Sequence, residues 1–88
     1  MRSVFDEIID LARRLGVTVR HAPLGGAGGG LATVRGQRQI FVDLDADPAE
    51  QLAQTLTALA RLDGLDTVYV RPDVRALIDA HRADPAGG

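Results

Sequence analysis

Val4, Ile8, Leu11 and Leu15 recur at spacings of 4, 3 and 4 residues, the single apolar stripe of an amphipathic helix. Ser3 precedes them as a helix cap, and Asp6 and Glu7 fill the first turn, where negative charge suits the helix dipole. Asp10 and Arg14 make an i,i+4 pair on the wet side, and Gly16 marks the stop. From Val17 to Ala22 the period changes to two: Val17, Val19 and His21 alternate with Thr18 and Arg20, a half-buried strand that Pro23 ends.

Leu31–Val34 and Gln39–Leu44 are the next two strands. Gly36 between them sits where a tight turn needs it, so the two form a hairpin. In the third strand Ile40, Val42 and Leu44 share one face, and Phe41 and Asp43 the other, with Asp43 expected on a wet surface. The stretch DADPAEQ opens a second helix: Asp47 caps it, Pro48 takes the first helical position and Glu50 completes a capping box. Leu52, Leu56, Leu59 and Leu62 then form its buried stripe, and Asp63-Gly64 stops it. DTVYV is a short strand or extended segment, and Arg71-Pro72 opens a last helix with Val74, Leu77 and Ile78 inward.

The element order is therefore α-β-β-β-α-(β)-α. It predicts an α+β fold in which two helices cover one face of a small, mainly antiparallel sheet of three or four strands. Residues 1–82 are expected to form one domain, with 83–88 a flexible tail. Phe41 then needs a cover, either from the C-terminal segment around Tyr69 or from a second subunit.

Composition narrows the chemistry. The chain has 88 residues, 45% of them apolar and 25% charged, as befits a globular domain. Cysteine is absent, which excludes disulfides and thiolate metal sites, and no apolar run is long enough to span a membrane. MRSVFDEIID lacks the basic start and apolar centre of a signal peptide, so a cytoplasmic location is expected. All ten basic residues are arginine, which removes Schiff-base and P-loop lysines, and the net charge of −2 gives no general attraction to nucleic acid or membranes.

The most conspicuous motif is GGAGGG, five glycines in the six positions from Gly25 to Gly30. Phosphate-binding glycine loops lead from a strand into a helix, whereas this one leads into the strand LATV, with no Gly-Lys-Ser/Thr after it. It reads as a flexible connection or a place where another backbone approaches closely, with a backbone nest for an anion as the alternative. That alternative uses Gly26, Gly28 and Gly29 together with Arg20, Arg35 and Arg38 to hold a small anion or nucleotide. Asp43, Asp45 and Asp47 alternate, but a calcium loop counted from Asp43 would need glycine at Pro48 and glutamate at Gln54. Strand-face, turn and cap roles are expected for them instead, and no metal or other cofactor. His21 and His81 are too few and too distant for a zinc set, while His21 with Asp43 or Asp45 would make a hydrolase only if they converged. The hairpin arginines lack the aromatic platforms of single-strand binders, so nucleic acid is disfavoured.

The stretch from Ile8 to Leu62 resembles a minimal zincin core of the ImmA/IrrE type, the small metallopeptidases of phage-immunity and stress-response systems. The likeness rests on LARRLGVTV ending a helix, GQRQIFVDLDAD closing a hairpin and DPAEQLAQTLTALARL opening the next helix. It implies a strand beside a cleft that accepts extended substrate, and a zinc motif His-Glu-x-x-His on the second helix. At that place the chain reads Thr57, Ala58, Leu59, Ala60 and Arg61, so the ligands and the general base are missing. The expected function is thus a non-catalytic protein-interaction module. Its partner is another protein or a second copy of the chain, bound through Phe41, Leu31, Thr33 and Tyr69.

Overall fold

The computed structural model of the chain describes residues 3–82, so the expected tail at 83–88 lies outside the described residues. Helix α1 (Val4–Arg14) begins as its sequence demands: Asp6 N donates to Ser3 Oγ, and Ser3 N donates back to the Asp6 carboxylate. Strands β1 (Thr18–Ala22), β2 (Gly30–Val34) and β3 (Gln37–Asp43) follow, then α2 (Pro48–Ala60) and α3 (Pro72–Ala80). The segment expected as a possible fourth strand is a 3₁₀ turn over Leu65–Thr67 leading into extended chain. This is the small α+β domain that the residue pattern predicts.

The sheet is mixed, in the order β1-β3-β2, with β3 parallel to β1 and antiparallel to β2. Arg35 and Gly36, both with positive φ (53° and 80°), form the two-residue hairpin turn between β2 and β3, a conformation that glycine adopts freely. Because β3 inserts between its two predecessors, the chain leaving β1 must pass over the end of β3 to reach β2. That crossing spans two strand spacings, roughly 10 Å, and the glycine run makes it.

Paired residues share a face, so the register assigns every side chain to one side of the sheet. Val19, His21, Leu31, Thr33, Arg38, Ile40 and Val42 lie on one face; Arg20, Ala32, Gln39, Phe41 and Asp43 on the other. The first face meets the helices: Ile40 packs into a buried cluster with Ile8 and Leu11 of α1 and Leu56 and Leu59 of α2. Val74 and Ile78 of α3 join the same cluster, α3 packing against α2.

Expectations for three apolar or aromatic side chains need correction here. Leu44 continues the alternation of Ile40 and Val42 but is 52% exposed, because β3 ends at Asp43 and the chain turns away toward α2. Leu77, expected inward, is exposed at the edge of the α3 stripe that Val74 and Ile78 bury. Tyr69 is 73% exposed and its carbonyl faces Arg14 of α1, so its segment runs beside α1 and leaves Phe41 uncovered by it.

Candidate functional site

Asp43 closes the central strand and is fully buried, contrary to the wet position that alternation suggests. The reason is the crossing loop. Leu24 N and Asp45 N donate to Asp43 Oδ1 at 2.8 and 2.9 Å, and Gly26 N and Gly28 N donate to Oδ2 at 2.7 and 2.9 Å. Gly25 N donates to the neighbouring Asp45 carboxylate at 2.9 Å. Burial alone would push the Asp43 carboxyl up; the backbone N–H groups of Gly28, Leu24, Asp45 and Gly26 outweigh it and hold the carboxyl below its ordinary range. The glycine run is therefore an anion nest whose anion is the protein's own Asp43. It is a fastened crossing rather than a loose one.

The loop ends against α2. A Cβ on Gly29 would fall 1.9 Å from Gln54 Oε1 and 3.2 Å from the Phe41 carbonyl oxygen, so only glycine fits there with Gln54 in place. Gln54 Oε1 is itself buried without a hydrogen-bond partner, while its Nε2 donates to Glu50 Oε1 at 3.2 Å.

Beyond Gly29 the chain becomes an edge strand. In a two-residue hairpin the residues flanking the turn form a hydrogen-bonded pair, so Val34–Gln37, Ala32–Gln39 and Gly30–Phe41 are the bonded pairs of this ladder. The N–H and C=O groups of Leu31 and Thr33 consequently point away from β3, toward the free edge. The alternation also fits the other side of β3, where Leu44 N donates to Ala22 O at 2.9 Å.

Beside that edge lies a cleft of about 320 Å³ between β2 and α2, with Gly29, Gly30 and Leu31 on the strand side. Glu50, Gln54, Thr57 and Arg61 line the helix side at spacings of 4, 3 and 4 residues, and Ala53 and Ala58 form its small-residue floor. These positions are one stripe at the helical period. It is adjacent to the leucine stripe that faces the core. The polar half of that period was the available sequence signal, but Asp47, Pro48 and Glu50 read first as helix-start residues.

The residues expected to bind a partner are divided by the fold. Leu31 and Thr33 lie on the cleft-forming strand, Phe41 is half-buried on the opposite sheet face, and Tyr69 is away beside α1. Those expected to hold an anion are divided as well. Gly26 and Gly28 spend their amides on Asp43, and Gly29 packs under Gln54. Arg35 sits in the hairpin turn, at the far end of β3 from the glycine loop; Arg38 points toward Asp63 at 4.0 Å, and Arg20 donates to Gln39 Oε1 at 3.0 Å on the other face.

His21 is exposed and its side chain belongs to the face opposite Asp43, so that pair does not converge; His81 Nδ1 lies 2.9 Å from Leu77 O on α3. Asp47 caps α2 by accepting from Glu50 N at 2.9 Å, so the three alternating aspartates serve three separate backbone sites. Among the described residues no group of three or more His, Cys, Asp or Glu side chains is placed to hold a metal ion, and no helix is long and apolar enough to cross a membrane. Compared with known proteins, the chain matches no family model, no curated protein and no solved structure.

Proposed function

We propose that this chain is a non-catalytic protein-interaction module of the cytoplasm that takes up an extended segment of a partner protein along the free edge of β2. One observation carries the reading: the outward N–H and C=O groups of Leu31 stand beside a cleft roofed by a polar stripe of α2, with those of Thr33 further along the same edge. An added strand would satisfy those backbone groups, and alternate side chains of the segment would enter the cleft, where Ala53 and Ala58 leave room. The zincin resemblance supports the same use of the site. Thr57, Ala58 and Arg61, which stand where the zinc motif would, line this cleft and offer a hydroxyl, a methyl group and a guanidinium instead of metal ligands.

The test is amide exchange and NMR titration of the labelled protein with peptides selected from a displayed library. Leu31 and Thr33 amides are expected to exchange quickly in the free protein and to become protected on binding, with Ala32 protected throughout. Slow exchange at Leu31 and Thr33 in a monomer, or peptide-induced shifts confined to the Phe41 face, would overturn the reading. Light scattering across a concentration range separates a foreign partner from a second copy pairing edge to edge.

A further inference from the structure

We infer that the segment bound in the β2–α2 cleft is charge-bipolar, carrying a basic group at the Glu50 end and an acidic group at the Arg61 end. This rests on the reading of the cleft as a strand-accepting site and names the chemistry of its occupant. Glu50 and Arg61 are eleven residues apart, which at 100° per residue returns them to within about 20° of the same helix face. Both are exposed and both line the cleft, one at each end of its helical wall.

The two charges stand along α2 at a rise of about 16 Å, too far apart to neutralise each other. Among the described residues the Arg61 guanidinium has no ion pair, as is also true of Arg13, Arg20 and Arg35, but of these four only Arg61 lines the cleft. Glu50 accepts from Gln54 Nε2 through Oε1 only. An extended chain advances about 3.3 Å per residue with alternate side chains on one side, so groups four or six residues apart in the bound segment share the cleft face and reach the two ends. The small floor between them, Ala53 and Ala58, suits short apolar side chains in the intervening positions.

Four β-prone peptides of one sequence test this by fluorescence anisotropy. They carry Lys and Glu, Lys and Lys, Glu and Glu, or two Gln residues at positions four apart, so that both side chains point to the cleft side of the strand. The bipolar peptide is expected to bind the wild-type protein about tenfold tighter than either like-charged peptide at low ionic strength, the gap narrowing with added salt. Glu50→Arg should move the preference to the doubly acidic peptide, and Arg61→Glu to the doubly basic one. Both positions are exposed, Glu50 in the first turn of α2 and Arg61 at its C-terminal cap, and circular dichroism checks that each variant folds. Equal binding of all four peptides, with Leu31 and Thr33 protected, would overturn the charge assignment and leave the strand-accepting edge standing. No binding of any peptide, with no shift at Leu31 or Thr33, would overturn both.

Discussion

Two adjacent stretches of backbone, residues 24–28 and residues 31–33, use their amides in opposite ways. In the first, Leu24, Gly26 and Gly28 turn their N–H groups inward onto Asp43. In the second, Leu31 and Thr33 turn theirs outward from an edge strand. The glycine-rich stretch, the one whose composition suggests a ligand, is closed by the chain itself. The ordinary strand sequence LATV holds the open hydrogen-bonding capacity. Composition thus reports how freely a backbone can bend, while topology decides whether its amides are still available.

Breaking the closed half is expected to have the largest effect. Asp43→Ala orphans four amides that now donate to a buried carboxylate. Orphaned part-buried donors, an emptied buried site and lost charge-assisted bonds should lower the melting temperature by about 10 °C, measured by calorimetry. Asp43→Asn keeps the shape but only one acceptor oxygen, its NH2 group facing two of the four donors, so it should be destabilised nearly as much as Asp43→Ala. The pH dependence has a definite sign. A carboxyl held below its unfolded value contributes its full stability above about pH 4 and loses it as pH falls through the lower folded value. Acid sensitivity in that window should be steeper for the wild type than for Asp43→Asn; identical profiles would mean that Asp43 is not the fastening charge. Asp73, held low by its hydrogen bond from Arg71, is common to both proteins and cancels in the comparison.

The junction between the two halves comes next. Gly29→Ala places a methyl group where Gln54 Oε1 now lies, and is expected to cost about 1–3 kcal/mol in denaturant unfolding. Removing the obstacle in Gly29→Ala/Gln54→Ala should recover most of that relative to Gln54→Ala alone, the mark of two residues in direct contact. Additive costs would place the strain elsewhere, at the Phe41 carbonyl. A smaller loss belongs to Asp47, which serves one exposed amide where Asp43 serves four part-buried ones. Asp47→Ala should cost about 1 kcal/mol and leave exchange at Gly26 and Gly28 unchanged.

What could be read ahead of the structure follows from how local each cause is. Ser3 with Asp6, Pro48 after Asp47 and Gly36 after Arg35 act within four residues, and each marks its helix start or turn in the sequence. The burial of Asp43 depends on β3 inserting between β1 and β2, a pairing across some twenty residues that no neighbour of Asp43 announces. Once that insertion is known, the long crossing and its glycines follow. Leu31 and Thr33 emerge from the sequence as strand residues, but which way their amides point depends on counting outward from the turn at Arg35-Gly36. The helical side of the cleft was legible only as the polar half of α2. Its significance comes from the strand placed beside it.

The smallest expected effect is the sharpest test of the open half. Proline at a strand position removes one backbone donor, and its cost depends on whether that donor was used. Ala32 pairs with Gln39 inside the ladder, so Ala32→Pro should cost about 2 kcal/mol or more through the lost bond and the orphaned acceptor. Thr33 lies one residue further along, is exposed, and directs its N–H to solvent, so Thr33→Pro should change stability by less than about 1 kcal/mol. The same Thr33→Pro should nevertheless weaken peptide binding, because an added strand needs that donor. If the two prolines were equally destabilising, the hydrogen-bonding phase of β2 would be other than the hairpin turn dictates. The contrast between satisfied and open amides would then have to be redrawn one residue over.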